Sequence, residues 1–213
     1  MKTILVTGAH GGIGEAIVES LTGVGHTVIA IGREDADLSK FIDIQKLQKK
    51  VLDKVDHIDW LVCAHGYIDP KVVLEEQTPE SIETTFLVNT VSVVYLAQLF
   101  LQHIPRNGGM IVLSSAAGIE ANGRIAAYSA SKAAVNSFIQ ALAHNRKEQK
   151  FFAVCPGPTN TTMRERLAGD AAKMQSPAAV AEVVTNLIEQ KTENRSGDIL
   201  LIKDSRTMTV GSI

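Results

Sequence analysis

The sequence predicts an α/β fold, a doubly wound parallel sheet of about seven strands with a shortened second crossover, formed as a single domain over residues 1–213. Three observations predict it. Short apolar runs alternate along the chain with longer stretches of helical periodicity. The apolar runs are continuous rather than alternating, as strands covered on both faces must be. No repeat, low-complexity segment or linker divides the chain.

In order, the strands are "KTILVT", "TVIAI", "WLVCA", "GMIVLS", "FFAVC" and "GDILLI", with helices near 14–22, 45–55, 79–103, 128–145 and 177–190. Thr78-Pro79 and Ser176-Pro177 mark two helix starts, each with a capping hydroxyl followed by proline at the first helical position. Repeated strand-helix-strand units require right-handed crossovers and a parallel sheet. The connection "REDADLSKFIDI", between the strand ending near Gly32 and the helix starting near Gln45, is too short to hold a crossover helix. Within it "KFI" can be only a very short strand, so the domain is trimmed on that side. The chain ends soon after "GDILLIKD".

With 45% hydrophobic and 21% charged residues and a net charge of −2, the chain can bury one sizeable core. It has no basic run to serve as a footprint for nucleic acid or an anionic membrane. The apolar part of "MKTILVTGAHGG" is too short for a signal-peptide core. "FLVNTVSVVYLAQLFL" is interrupted by Asn89, Thr90, Ser92 and Gln98, and reads as a buried helix below the length of a membrane span. A cytoplasmic protein acting on a small molecule, with no nucleic-acid or membrane partner, is expected. Cys63 and Cys155 lie in strand-like runs and read as reduced core thiols rather than a disulfide or metal pair.

Two motifs carry chemistry. "TGAHGGIG", residues 7–14, closes the first strand and opens the first helix. Gly8 permits the tight turn, Gly12 lets the backbone approach a pyrophosphate, and Gly14 allows close helix packing. His10 either faces a phosphate or is an uninvolved loop residue. In "AYSASKAAV", Tyr128 and Lys132 are one helical turn apart on a face of small residues.

The pattern T-G-x-x-x-G-x-G, then S-x12-Y-x3-K, then P-G resembles the short-chain dehydrogenase/reductase family. It runs from Thr7 through Ser115, Tyr128, Lys132 and Pro156-Gly157 to the last strand near Ile202. The resemblance implies a Rossmann sheet binding a nicotinamide cofactor at the carboxyl ends of its strands, with a Ser-Tyr-Lys mechanism. Hydride reduction of a carbonyl needs a proton for the developing alkoxide, and a free tyrosine, with a pKa of about 10, is a sluggish donor near neutrality. A neighbouring ammonium favours the phenolate, which is a physical reason for Lys132 to stand beside Tyr128. Ser115 can bond the substrate oxygen, while Ser114 packs or bonds locally. By resemblance Lys132 also binds the nicotinamide ribose, and Asn89 holds a water leading to the lysine; otherwise Asn89 kinks a buried helix through a backbone bond. The resemblance extends cofactor contacts to Ile13, Ala64, Gly66, Pro156, Gly157, Thr159 and Thr161.

Where the family has N-N-A-G, this chain has Cys63-Ala64-His65-Gly66, which bears on a structural hydrogen bond and on the shape beside the adenine ribose. At the end of the second strand, Gly32 stands where an NAD-selective fold places a carboxylate, and Arg33 follows with a cation suited to a 2'-phosphate. Glu34 and Asp35 weaken that field, and Gly11 occupies a position where many NADP-binding relatives carry a second basic residue. NADP(H) is therefore expected ahead of NAD(H). Asp43, with Ile44, is expected at the adenine, with Asp37-Leu38 as the alternative.

The leading function is an oxidoreductase acting on a ketone or secondary alcohol of a small molecule. The rivals are a catalytically silent cofactor-binding regulator or scaffold, and an epimerase or dehydratase, whose relatives usually add a C-terminal substrate domain. "MRERLAGDAAKMQS", Met163 to Ser176, is expected to form a lid presenting Arg164 and Arg166. By resemblance the long helices around 90–103 and 128–145 pair in a homodimer or homotetramer.

Overall fold

The computed structural model describes residues 1–69, 73–161, 174–203 and 206–212. Six continuous apolar runs form parallel strands: β1 (Thr3–Thr7), β2 (Thr27–Ile31), β3 (Trp60–Cys63), β4 (Gly109–Leu113), β5 (Lys150–Pro156) and β6 (Ile199–Lys203). A seventh, β7 (Arg206–Gly211), pairs antiparallel with β6, and the sheet order is β2-β1-β3-β4-β5-β6-β7. Successive side chains point to opposite faces, so each strand feeds two cores. Leu5, Leu61, Met110, Val112 and Phe151 pack under α2 (Phe41–Leu52), α4 (Ser92–Phe100) and α5 (Ala126–Asn145). Ile4, Val6, Val62, Ile111 and Val154 pack under α1 (Gly12–Gly23) and α6 (Pro177–Ile188).

The short second connection is resolved differently from the expected very short strand. Phe41 and Ile42 begin α2, so β2 is the sheet's edge strand and the chain returns past β1 to β3. The reason is legible in the spacing: Ile44, Leu47 and Val51 recur at helical intervals and are all buried, while Phe41 packs on Tyr95 of α4 with ring centroids 4.6 Å apart. The seventh strand comes from the C-terminus instead, where Met208 and Val210 alternate with Thr207 and Thr209. The strand order reverses about β1, which opens a crevice at the carboxyl ends of β1 and β3.

The helical run from Pro79 to His103 is long and apolar enough to cross a membrane by length and composition, contrary to the expectation drawn from its polar residues. In the fold it is a broken core helix: α3 (Pro79–Phe86), a π-turn (Leu87–Val91), α4 and a 3-10 turn. Asn89 and Ser92 are buried inside the protein. Thr78 and Ser176 cap α3 and α6 as their sequence implies, accepting from the amides of Ser81 and Ala179.

Candidate active site

The glycine turn is built against the loop after β3. Gly8 has φ +70°, and a Cβ there would lie 2.5 Å from the backbone nitrogen of His65; a Cβ at Gly14 would overlap the Gly8 carbonyl. Glycine is thus required at both positions by backbone approach. Gly11 is the N-cap of α1 and no side chain caps that helix. Its first-turn amides are left facing the crevice, an arrangement that fits a phosphate. Two cavities of about 380 and 300 Å³ extend from this turn. The larger is lined by Ile13, Ser115, Tyr128, Pro156, Gly157, Thr159 and Thr161. The smaller is lined by Gly8, His10, Arg33, Asp37, Ala64 and Gly66. Together they give an elongated cleft at the carboxyl ends of the strands that fits a dinucleotide.

The floor of the larger cavity brings the expected catalytic residues together. Lys132 is buried, donates from Nζ to the Leu113 carbonyl at 2.8 Å, and stands 5.9 Å from the centroid of the Tyr128 ring. Burial lowers its pKa to about 8. The Tyr128 pKa is raised, because burial outweighs the Ser115 hydroxyl that bonds the phenol and acts the other way. The lysine was expected to pull the phenol down; with Nζ directed to Leu113, desolvation dominates instead. Ser115 caps the 3-10 turn after β4, accepting from the Ala117 amide at 3.2 Å, and its side chain lines the cavity. Ser114 is buried and donates to the Lys132 carbonyl at 3.1 Å, which fixes α5 to the end of β4.

Asn89 lies in the π-turn, a distortion often found at functional sites. Its Oδ1 accepts from the Tyr67 amide at 2.7 Å, and its Nδ2 donates to the Tyr67 carbonyl at 2.8 Å and to Ser131 Oγ at 3.0 Å. Its amide group therefore pins the loop after β3 to α5. A Cβ on Gly66 would stand 3.4 Å from Asn89 Oδ1 and 3.5 Å from Lys132 Nζ, so these groups meet beneath that loop.

The Cys63-Ala64-His65-Gly66 departure has a direct structural consequence. His65 Nε2 lies 2.7 Å from Ser92 Oγ, and Ser92 spends its own hydrogen on the Val88 carbonyl at 2.7 Å. Nε2 is therefore the donor, and Nδ1 accepts from the Thr7 hydroxyl at 2.6 Å. Burial, with the nearby Lys132 charge, pushes the His65 pKa down to about 3, so the ring bridges β1 and α4 as neutral imidazole. This clamp was not singled out in the sequence, although the position of His65 among small residues was its signal.

The adenine expectation is corrected. Ile44 is fully buried in the core and Asp43 pairs with Lys46 at 3.2 Å on α2; neither lines the cleft. Asp37 and Leu38 do. No strand forms between β2 and α2, so the loop Gly32–Lys40 itself lines the crevice. Asp37 accepts from the Ser39 hydroxyl at 2.6 Å and pairs with Lys40 at 3.0 Å, which together hold its pKa down to about 2.

After β5, the Gly157 amide donates to the Ile202 carbonyl at 2.8 Å, and the buried Thr159 hydroxyl donates to the Gly157 carbonyl at 3.0 Å. Thr159 thus braces the turn, while Thr161 stands against Gly12. Lys203 and Glu120, paired at 3.2 Å, stand at the cavity's outer end with Ile68 and Ile125; these four were not anticipated. Arg164 and Arg166 lie outside the described residues, as does most of the expected lid. Cys63 and Cys155 are buried free thiols.

Comparison with known proteins gives the family and the fold. Residues 35–172 match the model of the short chain dehydrogenase family, a span that includes Ser115, Tyr128 and Lys132. An uncharacterized oxidoreductase of Staphylococcus epidermidis is 26% identical, covering 94% of this chain and 96% of its own. Benzil reductase ((S)-benzoin forming) of Bacillus cereus is 26% identical over 96% of this chain and 100% of its own. Among solved structures, a 3-ketoacyl-(acyl-carrier-protein) reductase from Brucella melitensis complexed with NADH superposes with a TM-score of 0.89 at 21% identity, covering 97% of this chain and 98% of its own. A short chain dehydrogenase from Shigella flexneri complexed with NADP gives a TM-score of 0.86 at 23% identity, covering 94% and 95%. The chain is an oxidoreductase that belongs to the short chain dehydrogenase family.

Proposed function

We propose that the protein transfers a hydride between NADP(H) and the ketone or secondary alcohol of a small molecule. The observation that carries this reading is the convergence of Ser115 and Tyr128 on one cavity, beside Ile13 and the Pro156-Gly157 turn, with Lys132 buried beneath them. When bound, the nicotinamide supplies or takes the hydride. The Ser115 and Tyr128 hydroxyls hold the substrate oxygen, and Tyr128, with its raised pKa, keeps its proton at neutral pH to deliver to the forming alkoxide. Lys132 places a positive charge behind the phenol and stabilises the phenolate left after that transfer.

Ile13, Ile68, Ile125 and Pro158 wall the cavity, which suits a carbonyl compound with an apolar body. Arg33 is exposed beside the ribose end of the cleft and makes no ion pair among the described residues, which supports recognition of a 2'-phosphate. The test is a panel of aryl, alkyl and sugar-derived carbonyls and alcohols followed by NADPH absorbance. Consumption or formation of NADPH with one chemical class is expected. Cofactor binding without turnover of any substrate in either direction would favour the silent regulator instead.

A further inference from the structure

We infer that Glu34, latched by His10, is a second reader of the cofactor ribose that opposes Arg33 and opens the protein to NADH as well as NADPH. The inference rests on the dinucleotide reading above. Gly32 follows β2 without a side chain, yet the place of that side chain is filled. Both carboxylate oxygens of Glu34 lie 2.6 Å from where a Cβ on Gly32 would be, and the His10 ring meets the same point. Equal distances to both oxygens are what a carboxylate carried one carbon beyond that Cβ would show. Glu34 thus returns, from two residues further on, the group that an acidic residue 32 would have provided. In this fold such a carboxylate accepts from the ribose 2'-hydroxyl.

Neighbouring residues keep it there. His10 Nδ1 stands 2.5 Å from Glu34 Oε1, a contact that ties the glycine turn to the loop after β2. Asp35, the other nearby acid, is committed elsewhere: its Oδ2 accepts from the Gly32 amide at 3.0 Å and its Oδ1 pairs with Lys50 at 3.5 Å. The same cavity wall therefore carries two readers of opposite sign. Glu34 accepts a hydroxyl and repels a phosphate; Arg33 does the reverse. NADH fits with the latch closed, whereas NADPH requires Glu34 to leave His10.

Calorimetric titration of NADH and NADPH into the parent and the variants Glu34→Gln, His10→Ala and Arg33→Ala tests this. His10 and Glu34 side chains are 59% and 63% exposed, so both variants should fold, and circular dichroism checks that they do. Glu34→Gln should weaken NADH by about ten-fold and tighten NADPH, consistent with one charge-assisted hydrogen bond at an exposed site. His10→Ala should shift both affinities in the same directions by less, and Arg33→Ala should weaken NADPH alone by about ten- to 150-fold. A Glu34→Gln variant whose NADH affinity is unchanged, or whose two affinities move together, would overturn the latch. A parent that binds neither nucleotide would overturn the dinucleotide reading and the latch with it.

Discussion

At the catalytic end of the cleft, Asn89, Lys132 and Ser114 are 1%, 3% and 6% exposed, and each is tied to backbone of another element. At the ribose end, His10, Arg33 and Glu34 are exposed, and His10 and Glu34 are held by one contact between their two side chains. The first region is held by the packing of α5, β4 and the π-turn, so substitutions there act on chemistry. The second is held by charges in water, so substitutions there act on which ligand is preferred. His65 joins the two, standing between Thr7 at the glycine turn and Ser92 at the head of α4.

The largest effect expected is at the buried end. Tyr128→Phe keeps the ring and removes the proton, and kcat should fall by about 10²- to 10⁴-fold with cofactor affinity little changed. Steady-state turnover together with calorimetry separates the two. A variant that turns over at the parental rate would remove Tyr128 from the chemistry and erase the contrast between the ends.

Next comes the joint. His65→Ala removes the acceptor of the Thr7 hydroxyl, at about 1 to 3 kcal/mol for a buried group left unsatisfied, while Ser92 loses one of its two bonds and keeps Val88. A lower melting temperature and an increase of about ten-fold in the cofactor Kd are expected. The double variant Ala64→Asn with His65→Ala, which restores all but the first residue of the family pattern, should recover both. Failure of that rescue would show that His65 does more than replace the missing asparagine.

A pH profile sharpens the contrast further. Lys132 is cationic below its pKa of about 8 and neutral above it, while the phenol, with its pKa raised, stays protonated through that range. For carbonyl reduction, kcat/KM should be level below about pH 8 and fall above it as the lysine loses its charge. A profile level through pH 8 to 10 would mean that the charge of Lys132 is not used. The smallest effect is expected at Asp43. Asp43→Ala removes only an exposed pair with Lys46, worth about 0.3 to 0.5 kcal/mol, and should leave the affinity for either nucleotide unchanged. A large loss of affinity there would move the adenine back onto α2.

The same contrast explains what could be read from the sequence. Ser115, Tyr128 and Lys132 are placed by a strand end and one helical turn, geometries that repeat from chain to chain, so the ordered motifs of the family they resemble were enough to point to them; Ser115 and Tyr128 line one cavity and Lys132 is buried beneath it. The turn glycines were legible because Gly8 and Gly14 meet backbone, which leaves no room for another residue. The loop Gly32–Lys40 was misread because nothing local to it says whether "KFI" joins the sheet; the buried face of Ile44, Leu47 and Val51 decides that. β7 was missed because its residues are exposed, so its alternation of threonine with Met208 and Val210 carries no burial signal. The His65 clamp depends on Thr7 and Ser92, residues 58 and 27 positions away, a juxtaposition that only the fold creates.

The central claim, hydride transfer at the buried end of the cleft, is tested most directly with NADPH deuterated at the nicotinamide C4 position. The product of the best carbonyl substrate is examined by mass spectrometry for parent and Tyr128→Phe. One deuterium on the new carbinol carbon in the parent, with product formation lost in the variant, is the predicted result. Product without deuterium, or labelled product formed equally fast by both proteins, would contradict it.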